Sequence, residues 1–175
     1  AGRVWILQPV TVVTPQGRIA LDGRYGASTA LHARLADLDV SLAQAFVPGL
    51  GLGGRAPGTL DSPATAGAVP TVRARVDIAR FTRSSASVVS APVDIALLAT
   101  LDRSGGEMRA LIRRGGGIVG RMQAKLAPLG PGAALSERLL AAPLSGGIRY
   151  NGPAEVLWTL TGIAGQEVSG PIAVA

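Results

Sequence analysis

A chain of 175 residues, 47% of them apolar, is long enough to bury one sizeable core or to form one section of a longer molecule. The formal net charge of +6 admits anionic partners, but the arginines are spread along the chain with no aromatic platform between them, which argues against single-strand nucleic-acid binding. Cysteine is absent, which excludes a disulfide framework, thiol chemistry and cysteine metal sites.

Aromatics are only 3%, so Val, Leu, Ile and Ala must do the packing, and 24 glycines with 12 prolines predict many short elements joined by turns. The mean hydropathy of +0.35 is high. Even so, the best uncharged run, Val40 to Gly54, is interrupted by Gln44, Pro48 and four glycines, whereas a helical span needs roughly 18–20 apolar residues. No signal peptide is visible ahead of Val4-Trp5-Ile6-Leu7, and both ends read as mid-structure. The chain is expected to be a single segment, residues 1–175, of a longer protein.

Val4 to Val13 is an apolar stretch broken by Pro9 and closed by the turn-forming Thr14-Pro15-Gln16-Gly17. Ile19 and Leu21 alternate with Arg18, Ala20 and Asp22, and Leu31, Ala33 and Leu35 alternate with His32 and Arg34. Both segments read as half-buried strands. Asp39 is placed to cap a short helix through Phe46, stopped by Pro48 and Gly49. A glycine-rich turn follows, then a loop of Pro, Ala, Thr and Ser up to Val69.

The clearest strand is Pro70 to Phe81, with Val72, Ala74, Val76 and Ile78 on one face and Arg73, Arg75 and Asp77 on the other. Thr82 to Ser90 reads as a polar turn leading to a strand near Val88-Val89. Val93, Ile95, Leu97, Ala99 and Leu101 mark the next strand. It returns through Met108, Ala110 and Ile112 and turns again into Ile118, Gly120, Met122, Ala124 and Leu126. Short glycine turns make these three an antiparallel meander. A short helix is expected at Ala133 to Ala141 and a strand at Gly147 to Tyr150. Pro153 then opens a helix that ends before Gly162, and a last strand runs from Val168 to Val174. The total is about nine to eleven strands and two or three short helices.

Gly49-Leu-Gly-Leu-Gly-Gly54 matches the dinucleotide fingerprint, but no helix follows it, only Arg55-Ala-Pro-Gly58. His32 is the only histidine and lies on an outward face, where a solvated role outweighs a catalytic one. Asp22, Asp77 and Asp94 sit outward among arginines, where cross-strand pairing explains them. No nucleophile, base and orienting group come together. The reading is therefore non-enzymatic, with no catalytic residue, metal or cofactor.

One alternating segment after another, "ADLDVSLAQAFVPGL", a glycine-rich strand, "PTVRARVDIARF" and a closing "LSGGIRYNGPAEVLWTLTGIAGQEVSGPIAVA" together resemble an interior segment of the TamB family. These are the translocation and assembly module proteins, within the wider AsmA-like group, of Gram-negative bacteria. The resemblance implies a mainly β fold: a curved antiparallel sheet forming an open apolar groove, β-taco-like, with two or three short helices. It also implies a periplasmic location as part of an inner-membrane-anchored protein. The implied partners are phospholipid, the outer-membrane barrel protein TamA through parts outside this segment, and outer-membrane or autotransporter proteins, with no nucleic acid.

On that reading the lipid-binding groove is lined by Ile19, Leu21, Leu31, Leu35, Val72, Ala74, Val76, Ile78, Val93, Ile95, Leu97, Leu101, Ile118, Met122 and Leu126. Two other readings stay open. One is a module that holds outer-membrane strands by β-augmentation, and the other a closed sandwich that acts as a spacer. Alternation shows that a face is covered, not by what.

Overall fold

The structure, a computed structural model, describes residues 3–26, 28–45, 49, 51–65, 71–85, 89–128, 142–161 and 170–174. Its strands are β1 (Trp5–Thr14), β2 (Gly17–Tyr25), β3 (Ser28–Asp39), β4 (Leu52–Thr65), β5 (Val72–Arg83), β6 (Val93–Asp102), β7 (Gly105–Arg114), β8 (Gly117–Leu126), β9 (Leu144–Pro153) and β10 (Pro171–Val174). A 3-10 turn, Val40–Ala45, follows β3, and helix α1 (Ala154–Thr161) follows β9. The strands form one ten-stranded sheet in sequence order, each antiparallel to its neighbours. The sheet is curved and unclosed, with β1 and β10 as separate edges. This is the expected mainly β, open-groove architecture.

The helix shows how far the sheet bends. β5 and β9 are four strands apart, about 19 Å in a flat sheet at roughly 4.8 Å per strand. Yet α1, like any helix only about 10–12 Å wide with its side chains, packs against both. Arg83 Nη1 donates to the Leu160 carbonyl at 3.2 Å, and the Ala154 N–H donates to the Gly170 carbonyl at 2.8 Å. Val156 is 0% exposed and joins Val93, Ile112 and Tyr150 in the buried cluster, with Phe81, Ile95 and Leu160 packed around it. The core thus lies at one end of the trough, between the helix and strands β5–β9.

Several boundaries differ from the sequence reading. The loop read in chain order after Gly58 is strand as far as Thr65: β4 covers it together with the glycine-rich strand that the resemblance implied, paired with β3 on one side and β5 on the other. Pairing on both edges overrides the poor strand propensity of Pro57, Gly58 and Pro63. The polar segment after Phe81 extends β5 to Arg83, and only an isolated bridge joins Ser84 to Val89. Ser90 fastens this corner: its Oγ accepts the Arg83 N–H at 2.8 Å, and its N–H donates to the Arg83 carbonyl at 2.8 Å.

Pro153 is the last residue of β9, not the first of the helix. It sits opposite Pro171 in the ladder, and its carbonyl accepts the Tyr150 hydroxyl at 2.8 Å, which holds it in the strand. The expected helix at residues 133–141, Val88, Phe46 and Gly162 lie outside the described residues. Asp39 caps as expected, its carboxylate accepting the Ser41 N–H at 2.8 Å, but what it caps is the 3-10 turn.

Candidate functional site

The ladder register aligns apolar residues into rows that cross the sheet. One row reads Val12, Ile19, Leu35, Gly58, Val76, Leu97, Ala110, Met122, Ile148 from β1 to β9. The next reads Val10, Leu21, Ala33, Leu60, Ala74, Ala99, Met108, Ala124, Gly146. Neither row contains a charge or a side-chain hydrogen-bonding group. A third begins with Val72 on β5 and continues through Leu101, Gly106, Leu126 and Leu144.

Most of these residues are half-buried, with Leu101 and Ala110 buried and Val10, Val12, Leu144 and Gly146 exposed toward the ends of the rows. Helix α1 covers only the end marked by Ile95, Ile112 and Tyr150. Val93, 2% exposed, belongs to that plugged end, not to the open trough.

The predicted groove residues share this face, except Ile118. A register shift between Ile112 and Arg113 sets Gly120 opposite Ile112 but Ile118 opposite Arg113. Arg113 pairs with Asp94 on the polar side, so Ile118 turns outward and is 46% exposed. Such bulges reverse the facing of the residues beyond them. Val119 packs against the core in its place.

Sequence reasoning missed Tyr150, the largest buried side chain among the described residues, although it alternates with Ile148 in the manner of its neighbours. Burial pushes its phenol above the ordinary value; nearby Arg114 opposes that shift and Glu155 adds to it. Gly120 leaves room for the ring: a Cβ there would stand 3.4 Å from Tyr150 Cδ2 and 3.1 Å from Ile112 Cδ1.

On the opposite face one row mixes both signs of charge: Asp22, His32, Asp61, Arg73, Thr100, Glu107, Lys125, Ser145. His32 Nδ1 lies 2.6 Å from Asp61 Oδ1, and Lys125 Nζ lies 3.6 Å from Glu107. His32 is thus an ion-pairing or hydrogen-bonding surface residue. Asp94 is engaged differently from the expected ion pairing, its carboxylate accepting the Arg80 N–H at 2.9 Å where β5 bulges.

A concavity of about 860 Å³ lies over β5–β9, lined mostly from this polar side but also by Leu97, Ala110, Met122 and Ile148 of the first apolar row. Its lining includes Arg75, Arg109, Arg113, Arg121 and Arg149, with Leu98 and Leu111 between them. No group of three or more metal-ligating side chains occurs among the described residues, nor does any described helix have the length and hydrophobicity to cross a membrane.

Fold and site together define a class: a mainly β protein with an open trough, apolar within and charged without. Comparison with protein families, curated proteins and solved structures found no match.

Proposed function

We propose that the chain is one section of a TamB-like conduit in the periplasm of a Gram-negative bacterium. Its trough carries phospholipid between inner and outer membranes and supports outer-membrane protein assembly, with TamA engaged by other parts of the longer protein. The carrying observation is the pair of apolar rows that cross nine strands without a charge. Such a lining recognises hydrocarbon and nothing else. Each methylene kept out of water contributes roughly 0.8 kcal/mol, so an acyl chain is held without any polar anchor. Because this attraction has no direction, lipid slides along the rows instead of lodging at one point.

Photo-crosslinkers at Val76, Leu97 and Met122 test the reading in cells. Phospholipid adducts are expected there and not at Arg73 or Lys125, and equal labelling at those two positions would overturn it. A second reading draws on the β1 edge, which is exposed along its whole length and carries Trp5, Ile6 and Val13. An unpaired apolar edge of this kind accepts an incoming strand. Crosslinkers along β1 that trap barrel precursors, with no lipid trapped on the apolar face, would favour that role.

A further inference from the structure

The polar face holds a site of its own, and the contrast between its adjacent rows exposes it. The row through Asp61, Arg73, Glu107 and Lys125 alternates in sign and neutralises itself. The rows beside it do not. Arg75, Leu98, Arg109 and Gln123 form one, and Asp77, Ala96, Leu111, Arg121 and Arg149 the other. Arg121 and Arg149 stand directly opposite each other, an arrangement that destabilises a sheet through like-charge repulsion.

With Arg113, the basin over these rows gathers five arginines against one carboxylate, Asp77. Arg75, Arg113, Arg121 and Arg149 make no ion pair among the described residues. Between them the floor is apolar, with Leu98 55% exposed. Guanidinium forks match phosphate oxygens in pairs, and an apolar floor rewards a hydrocarbon portion on the same ligand.

We propose that this basin binds a phosphate-bearing amphiphile, with Arg121 and Arg149 clamping the phosphate and Leu98 and Leu111 supporting its apolar part. Most of its lining comes from the side of the sheet opposite the trough.

The test is a titration of the whole chain at low salt, followed by NMR of arginine side-chain signals. The probes are inorganic pyrophosphate and, separately, dihexanoyl phosphatidic acid below its micelle concentration. Both are expected to give saturable shifts, the lipid at lower concentration. R121Q/R149Q is expected to weaken pyrophosphate binding at least about tenfold, the worth of one charge-assisted hydrogen bond. Arg24→Gln, on the polar face of β2 outside the basin's lining, is expected to leave pyrophosphate binding unchanged.

A second readout is stability. Arg149→Thr relieves the repulsion, so it should melt higher than the parent in phosphate-free buffer, and pyrophosphate should narrow the gap. Absence of saturable binding, a double variant that binds as well as the parent, tighter binding of a tricarboxylate, or a lower melting point for Arg149→Thr would each overturn the proposal.

Discussion

Gly120 is a single residue on which the plugged end of the trough depends. It lies on β8 between Ile112 and Tyr150, opposite both in the ladder, and its missing side chain is the space the tyrosine ring uses. Gly120→Val puts a branched side chain where even a Cβ stands 3.1 Å from Ile112 Cδ1. Overpacking of this type costs about 1–3 kcal/mol, and the midpoint of urea unfolding should fall accordingly.

Asp39 gives a prediction in pH. Hydrogen bonds from the Ser41 hydroxyl and its backbone N–H hold the Asp39 carboxyl below its ordinary value, burial opposes the shift, and Arg55 adds to it. A carboxylate depressed in the folded state stabilises the fold fully above its unfolded pKa and loses that contribution as pH falls through the folded one. Parent and Asp39→Asn should therefore differ by a constant amount near neutrality and converge in acid. A gap that stays constant to low pH would remove the cap from the explanation.

At the scale of elements, alternation made most strands legible, because one buried face imposes period two on the residues that line it. Val72 to Ile78 and Ile95 to Leu101 fell on the expected faces for that reason. What period cannot show is where it slips. The bulge beside Arg113 turned Ile118 outward, and β4 hid behind prolines and glycines because its pairing comes from strands distant in sequence. The arginine basin was illegible for a related reason, since Arg75, Arg121 and Arg149 meet only once the register is set.

Helix α1 contacts both β5 and β9 and is expected to hold the bend. Val156→Asp places a charge at a position with 0% exposure, which detaches the helix. Nitroxide labels at Val72 and Leu144, on the inner face of β5 and β9, should then move apart toward the flat-sheet span of about 19 Å. An unchanged distance would mean that the strands curl without the helix.

For the molecule as a whole, the sheet order makes stability a local property. Each strand pairs only with its chain neighbours, so the fold behaves nearly as a one-dimensional stack, and the helix supplies the long bridge from β9 to β5. Burial is not shared evenly along that stack. Apart from Ala56, the buried apolar residues among those described lie on β6, β7, β9 and α1, whereas β1 is exposed throughout. Local opening follows buried contact, so amide exchange should form a gradient, fastest in β1, intermediate in β2–β4 and slowest in β6–β8. Uniform protection would show instead one cooperative unit closed by a cover over the trough. Short-chain phospholipid sharpens the comparison: if hydrocarbon fills the rows through Leu21 and Leu35, protection of β2–β4 should rise toward that of β6–β8. If it does not rise while β1 alone becomes protected on adding an outer-membrane strand peptide, the exposed edge and not the trough is the working surface.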